Sequence, residues 1–444
     1  MPYSRAVRHA FSISDRPHLS YRYTISSVAI DVTTSRIISV ESGAARLHDF
    51  PLIQNDLEPR SSQLTLSFTN NYQGSPVFAY LSGRDSAGSI VFLTTNGTWY
   101  YPVLSSGAGH QRVDPLAILL PLNEYSPHLD VTIPDSLISG RVWVATGELP
   151  FYISTNDGAT AMQLIEPSVY NDEDPSAVVS WGFLELTYTE GVDVYANLSF
   201  VDFVGFLLGL FLTLADGTVQ TVAGPHKDAV SGMCNALRVQ ATQDNHPWDE
   251  LCVVDRDSQP IRIVSPSKTA NASLLQGYYA HYVDRVWDRY TSQDLFINTQ
   301  SDAGLVPCRV SEEVLRCQGD NRGYSRPSEA DIWGCSSGPF AIAEEDNAIH
   351  RAVVPRLCAA FTRSTLLVDG GAVQPSVNSG QYYAESPTNH YSRLVHQFLA
   401  DGKGYAFPYD DVDVDGANAA GVVSGSNPQR LEIIVGGSLG NQRI

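Results

Sequence analysis

The sequence predicts a mainly β protein to which a mixed α/β region is attached. Short β-like runs, separated by Gly, Asn and Ser turns, recur from Pro51 onward at about ten-residue spacing. Helical periodicity begins only after Thr221. All six cysteines lie between Cys234 and Cys358, inside the part that carries the helical signals. Regular short strands of this kind favour a β-sandwich or barrel as the first body.

The composition excludes several classes of protein. A chain of 444 residues is long enough for two or three domains with a large buried core. Its formal net charge of -20 argues against a nucleic-acid partner, because little basic surface would neutralise phosphates. The longest apolar run, residues 203–214, is too short and too interrupted by glycine for a membrane span. We therefore expect a monomer that acts on a neutral substrate, with neither a nucleic-acid nor a membrane partner.

The patterns divide the chain into an extension and two domains. Residues 1–45 lack strong periodicity and form an N-terminal extension of uncertain structure. Residues 46–215 form the β domain, and residues 216–402 form an α/β domain that carries every cysteine. Residues 403–444 return to the β body with a final strand. An open groove between two such domains is a natural place for a ligand.

Four segments of the second domain have apolar residues at helical spacing. Pro355 is expected to interrupt the third helix, and Gly402 is expected to cap the fourth. The predicted helices are Lys227–Gln243, Asn271–Gln293, Asp346–Ser364 and His390–Gly402. The strongest signal is the second, whose apolar stripe comprises Leu274, Tyr278, Tyr282, Val286 and Tyr290.

The cysteines are best interpreted as disulfides, because none forms a C-x-x-C pair. Six cysteines allow fifteen connectivities, so the pairing stays open. The favoured set is Cys234–Cys252, Cys308–Cys317 and Cys335–Cys358. With sequons at Asn96, Asn197 and Asn271, this favours secretion into an oxidising, extracellular setting. Residues 1–35 nevertheless contain no apolar segment of the length that a signal peptide needs.

Two tempting motifs are incomplete, and no cofactor or metal is expected. Ser438 matches the G-x-S-x-G motif of a nucleophile elbow. Such a nucleophile needs a helix and the other catalytic residues after it, and only six residues follow Ser438. The acidic run from Asp411 resembles the start of a calcium loop, but Val422 stands where the bidentate Glu belongs. The eleven histidines form no H-E-x-x-H motif.

Two carboxylates inside apolar strands are the most informative feature. Strand alternation places Phe183, Glu185 and Thr187 on one face, and a turn near residues 190–192 returns the chain toward Asp202. That register puts the two acids about two to four residues apart along the strands, or about 8–14 Å. The range touches the separation of about 6.5–9.5 Å found in inverting glycosidases. The alternative is that each acid merely binds a loop or an arginine.

Several longer segments, in order, resemble the glycoside hydrolase family 64 endo-β-1,3-glucanases of the laminaripentaose-producing type. They are "WGFLELTY", "YANLSFVDFVGFLLGL", "YVDRVWDRY" and "GKGYAFPYDDV", with "LIEPSVYNDEDPSAVVSWGF" upstream. The match runs from about residue 50 to the end. It implies a thaumatin-like β-barrel or sandwich domain, a second α/β domain and an open groove between them. It also implies hydrolysis of β-1,3-glucan with inversion at the anomeric carbon.

The resemblance suggests roles for individual residues. Glu185 in "FLELT" stands where the family has its general acid, and Asp202 in "FVDFV" stands where it has its general base. Thr187, Tyr195 and Ser199 stand at positions of substrate contact. The segment between the two acids is one residue longer than in the family pattern. We expect this difference to affect the length of the released oligosaccharides more than the catalytic reaction.

The acidic loop and one sequon complete the candidate site. Asp410 and Asp411 of "YDDVDVD" are candidates for contacts with sugar hydroxyls. Asn197 lies between two substrate-contact positions, so a glycan there would block the groove, and we expect it to be unmodified. The competing hypothesis is a non-catalytic, β-glucan-binding thaumatin-like protein, since a fold alone does not specify an activity.

Overall fold

The computed structural model describes residues 28–31, 36–41, 44–45 and 63–437, except 75, 107–108, 123–127, 156–161, 170, 172 and 415–418. The chain divides into two compact units, residues 1–55 and residues 56–444. The described part of the first unit is a small antiparallel sheet. In these ranges, no helix combines the length and the apolar character that crossing a bilayer requires.

The strands far outnumber the helices, which confirms the prediction of a mainly β protein. The strands are β1 Val28–Asp31, β2 Arg36–Glu41, β3 Ala44–Ala45, β4 Thr65–Asn70, β5 Val77–Arg84, β6 Ile90–Leu93, β7 Trp99–Tyr100, β8 His110–Arg112, β9 Leu120–Leu122, β10 His128–Thr132, β11 Leu137–Ala145, β12 Tyr152–Ser154, β13 Gln163–Ile165, β14 Trp181–Thr189, β15 Asp193–Leu198, β16 Phe203–Val204, β17 Leu208–Leu214, β18 Val219–Val222, β19 Cys252–Val254, β20 Pro260–Val264, β21 Leu295–Asn298, β22 Leu305–Ser311, β23 Val314–Cys317, β24 Val373–Gln374, β25 Val422–Ser426 and β26 Pro428–Val435. The helices are α1 Pro115–Ile118, α2 Ala229–Asp244, α3 Ala280–Ser292, α4 Glu329–Gly334, α5 Ala348–Thr362 and α6 His390–Phe398.

Two large sheets form the body of the second unit. A five-stranded sheet has the order β10-β4-β26-β17-β18, and an eight-stranded sheet has the order β25-β15-β14-β11-β5-β6-β7, with β9 added on β5. Leu210 of the first sheet and Leu184 of the second belong to the same fully buried hydrophobic core. Each sheet therefore buries one face of alternating apolar residues against the other. Neither of them, and no other sheet in the described ranges, closes into a barrel.

Strands from both ends of this unit, β4 and β26, lie side by side in the five-stranded sheet. Strand β26 lies between β4, to which it is parallel, and β17, to which it is antiparallel. A strand buried between two neighbours has no free edge. The C-terminal segment is thus tied to the start of the β body. The domain boundaries drawn from the sequence at residues 215 and 402 remain predictions.

The four predicted helices all exist, with changes at their ends. Helix α3 begins at Ala280 instead of Asn271, because residues 272–279 form turns. Helix α5 runs through Pro355, so the predicted interruption is wrong. Its C-terminal half is buried, and that burial offsets the hydrogen bond that proline cannot donate. Helix α6 ends at Phe398, so Gly402 lies in the turn that follows instead of capping the helix.

Disulfides tie the helical region together and confirm the favoured pairing. The bonds are Cys234–Cys252, Cys308–Cys317 and Cys335–Cys358. The first joins α2 to β19, whose sheet continues through β20 to β16. Because β16 directly follows the segment that carries Asp202, this small sheet links the helical region to the predicted site.

Candidate functional site

Strand β14 has one apolar face and one mixed face, as the alternation predicts. Leu184, Leu186 and Tyr188 are buried in the core between the two large sheets. Glu185 and Thr187 are on the opposite face and are partly exposed. The side chain of Glu185 is 41% exposed, so this carboxylate is accessible to a ligand.

The hairpin of β14 and β15 brings two candidate residues next to each other. Thr187 is the direct cross-strand partner of Tyr195, and Glu185 is the partner of Asn197. Side chains of directly paired residues point to the same face of a sheet. These four residues therefore line one surface.

The predicted register of the two acids is wrong. Asn197 is opposite Glu185, so Asp202 lies five residues beyond that partner instead of two to four. Asp202 is also outside β15, which ends at Leu198. The chain leaves the strand at Ser199, which forms a parallel bridge with Tyr405. Once the chain departs from the ladder, strand spacing no longer measures the distance between the acids.

Backbone hydrogen bonds hold the segment that carries Asp202 close to strand β14. The Phe206 N–H donates to the Trp181 carbonyl at 2.8 Å, and the Ser265 N–H donates to the Asp202 carbonyl at 2.9 Å. A Cβ on Gly205 would lie 2.2 Å from the Trp181 carbonyl oxygen, so only glycine permits this approach. A small recess is lined by residues of both segments, among them Phe183 and Ser199.

Each acid has a cation beside it. Lys268 Nζ lies 3.4 Å from Asp202 Oδ1, and the Asp202 side chain is 31% exposed. Arg141, directly opposite Glu185 in β11, places Nη2 3.5 Å from Glu185 Oε1. Arg141 also donates from Nη1 to Glu166. Burial alone would lower the pKa of Arg141, but Glu166, Glu185 and Asp202 together raise it.

Two tyrosines connect this surface electrostatically to the loop after α6. Tyr195 and Tyr405 influence each other's pKa, and burial raises the pKa of Tyr195 to about 12. Asp411 is close enough to influence both tyrosines. Burial raises the pKa of Asp411 to about 6.

Asp410 is not a sugar contact, which corrects the prediction. Its side chain is fully buried. Its carboxylate accepts from Arg363 Nη2 at 2.9 Å, from the Ala406 N–H at 2.8 Å and pairs with His396 Nε2 at 2.9 Å. These partners occupy both oxygens, so Asp410 is an interior ion-pair residue that fixes the loop, whereas its neighbour Asp411 is partly exposed.

Sequence reasoning missed Arg141, Glu166 and Lys268. A signal existed for Arg141, which is a charged residue inside the apolar run "GRVWVAT", as Glu185 is inside "FLELT". Nothing local pointed to Lys268, because it reaches Asp202 only through the pairing of β16 with β20. Ser438 and residues 415–418 of the run that resembles a calcium loop lie outside the described residues.

Comparison with known proteins supports the resemblance read from the sequence. The family model for the β-1,3-glucanases of glycoside hydrolase family 64 matches residues 62–435. Glucan endo-1,3-beta-glucosidases of Cellulosimicrobium cellulans and of Arthrobacter sp. (strain YCWD3) are each 26% identical over 383 residues. The match covers 83% of this chain and 64% of each relative. The chain thus spans slightly less than two thirds of these curated relatives.

Solved structures share the fold. One is a laminaripentaose-producing β-1,3-glucanase in complex with laminaritetraose, with a TM-score of 0.72 and 25% identity over 84% of this chain and 98% of that chain. A family 64 β-1,3-glucanase domain from Clostridium beijerinckii has a TM-score of 0.64 and 19% identity, over 85% of this chain and 98% of that chain. Because the family model covers most of the sequence, the chain belongs to glycoside hydrolase family 64, the β-1,3-glucanases.

Proposed function

We propose that this protein is an inverting endo-β-1,3-glucanase in which Glu185 is the general acid and Asp202 is the general base. Membership of the family supports the substrate class, as does the laminaritetraose bound to a structural relative. The observation that carries the residue assignment is the pair of accessible carboxylates, Glu185 on β14 and Asp202 just before β16, on segments that backbone contacts hold together. Each carboxylate is adjacent to a cation, and both carboxylates raise the pKa of Arg141.

The two acids have different neighbours. Lys268 Nζ lies 3.4 Å from Asp202 Oδ1, whereas the guanidinium near Glu185 is shared with Glu166. We assign the proton-donating role to Glu185 and the proton-accepting role to Asp202 because the segments that carry them resemble those of the family's acid and base.

The reaction follows from these roles. Glu185 gives its proton to the glycosidic oxygen as the bond from that oxygen to the anomeric carbon breaks. Asp202 takes a proton from a water molecule, whose oxygen bonds to the anomeric carbon from the opposite face. The products are two shorter glucans, with an α-configured new reducing end. Exchange with solvent then restores the proton on Glu185 and removes it from Asp202.

Neighbouring residues are proposed to hold the sugar. Tyr195 offers a ring that can stack on a pyranose, and Thr187 and Ser199 offer hydroxyls from partly exposed positions. Asp411 is the remaining acidic-loop candidate for a hydroxyl contact. We further propose that the substrate lies in a groove between a thaumatin-like β body and the α/β region. Secretion is proposed from the three disulfides.

The test is hydrolysis of laminarin by Glu185→Gln and Asp202→Asn, measured as new reducing ends. Each substitution should lower kcat by at least about a hundredfold while the thermal unfolding midpoint stays unchanged. Glu190→Gln, in the turn of the same hairpin, is the matched control and should keep normal turnover. Proton NMR of early products should detect the α-anomer first. Near-normal turnover of either acid variant, or an initial β-anomer, contradicts the proposal, and laminarin binding without any hydrolysis by the wild type favours a glucan-binding protein.

A further inference from the structure

We propose that the Arg141–Glu166 pair positions Glu185 and sets how readily that residue releases its proton. This inference rests on the proposed function, in which Glu185 is the acid. Neither residue of the pair touches the reacting atoms in this scheme. Both act through Glu185.

The geometry places one guanidinium between two carboxylates. Arg141 donates from Nη1 to Glu166, and its Nη2 lies 3.5 Å from Glu185 Oε1. The three side chains come from separate places in the fold, namely β11, the residue after β13, and β14. The planar fork of arginine can serve two carboxylates at once, which a lysine ammonium does less well.

Aromatic rings fix the guanidinium in this position. It lies 4.9 Å from the ring centroid of Phe183 and 5.7 Å from that of Trp143. The Trp143 indole is itself held by a hydrogen bond from Nε1 to Ser82 Oγ at 2.9 Å. The Arg141 side chain is only 16% exposed, so its charge is weakly screened by water. A cation held this rigidly does not need to reorganise when Glu185 changes its charge.

The pair suits a proton donor because its charges balance before the reaction. While Glu185 is protonated, Arg141 is neutralised by Glu166. When Glu185 loses its proton, the new carboxylate lies next to Nη2 and is stabilised there. Without Glu166, the full positive charge of Arg141 would act on Glu185 at all times and would favour its ionised, inactive form.

Other titratable groups lie around Glu185 and Arg141. They come from β15, from the segment after it, from the turn after β20 and from the acidic loop. Of these groups, Tyr195 interacts with Glu185 itself; Asp202 interacts with Arg141 and pairs with Lys268, and Asp411 interacts with Tyr195.

Substitution of Glu166 by Gln isolates this effect. The dependence of kcat/KM on pH should show two limbs, the alkaline one reporting the acid and the acidic one reporting the base. In Glu166→Gln, we expect the alkaline limb to move to lower pH by about one unit while the acidic limb stays within about 0.3 unit. An unmoved alkaline limb overturns the proposal. An equal shift of both limbs also overturns it, because that result reflects only the altered net charge.

The matched control is Glu148→Gln. Glu148 pairs with Arg112 on the surface, where both side chains are nearly half exposed. This control removes the same charge from an arginine pair and should leave both limbs unchanged. The Glu185→Gln variant separates the two proposals. If it keeps its turnover, the assignment of the acid fails. If it is inactive while Glu166→Gln behaves as the wild type, only the role of the pair fails.

A second variant covers the case in which Glu166→Gln does not fold. Arg141→Lys keeps the positive charge but cannot contact Glu166 and Glu185 in the same way. We expect kcat to fall at least about tenfold with KM changed less than about threefold, because orientation of the acid is lost. An unchanged kcat overturns the proposal.

Discussion

Gly205 tests how tightly the segment of Asp202 is held against strand β14. In Gly205→Ala, the new Cβ would lie 2.2 Å from the Trp181 carbonyl oxygen and 2.7 Å from the Phe203 ring. Cβ contacts closer than 3.0 Å are essentially never seen, so the segment must move. The nearest atom is backbone in a buried strand and cannot rotate away, as the end of a flexible side chain could.

The size of the movement follows from these distances. To relieve this contact, the segment must move by about 0.8 Å, so that the distance from the Cβ to the Trp181 carbonyl oxygen grows from 2.2 Å to 3.0 Å. Asp202 is three residues earlier in the same segment, so its carboxylate moves with it. A misplacement of about 1 Å in a catalytic group can cost about a hundredfold in rate. We therefore expect kcat on laminarin to fall about ten- to a hundredfold, and the free energy of unfolding to fall by about 1–3 kcal/mol.

Both quantities are measurable on the same preparation. Reducing-end release on laminarin gives kcat, and urea unfolding monitored by tryptophan fluorescence gives the stability. Gly109→Ala is the matched control, because a Cβ there meets no atom within 4 Å. A Gly205→Ala protein with kcat within about twofold of the wild type and unchanged stability would refute the close contact and the positional argument built on it.

Three further predictions concern burial. Asp410→Asn should lower the free energy of unfolding, measured by urea titration, by about 3–5 kcal/mol, because the buried Arg363 loses its closest carboxylate. A loss below about 1 kcal/mol would contradict the buried ion pair. Burial lowers the pKa of His396, but the Asp410 carboxylate outweighs this and raises it above the ordinary value of 6.5. The charged His396 therefore stabilises the fold fully below about pH 6.5, and this stabilisation is lost as the pH rises through the pKa of His396 in the folded protein. The urea midpoints of wild type and His396→Gln should converge as the pH is raised from pH 5.5 to pH 9. A difference that stays constant would contradict this prediction. Asn197 is 5% exposed inside β15, whereas Asn96 is exposed at the turn between β6 and β7. Peptide mass spectrometry of protein secreted from a eukaryotic host should detect no glycan on Asn197, and occupancy there would contradict the described burial.

Local patterns predicted the parts of the site that lie within a single strand. The faces of β14 follow from alternation, because successive side chains in a strand point to opposite sides. Glu185 and Thr187 were therefore placed correctly on one surface. Alternation does not apply in loops, so it could not separate Asp410, which is buried, from its partly exposed neighbour Asp411.

Distances between segments could not be predicted in this way. The offset of Asp202 was underestimated because β15 ends at Leu198 and the chain then pairs with Tyr405, far along the sequence. The continuation of α5 through Pro355 has a similar cause, since the helix is stabilised by burial against other segments. In both cases a long-range contact outweighed a local preference.

By itself, the sequence determined the mainly β class and the family, because strand periodicity and short motifs depend on neighbouring residues; it also proposed the two acids. The disulfide pairing was among fifteen alternatives, and the structure selected the favoured one. Only the tertiary structure decided which charges surround Glu185 and Asp202. Arg141, Glu166 and Lys268 come from three separate segments. Arg141 meets Glu185 through strand pairing, Glu166 contacts Arg141, and Lys268 reaches Asp202 because β20 pairs with β16. Coulomb energy depends on distance in space, which the order of residues along the chain does not specify.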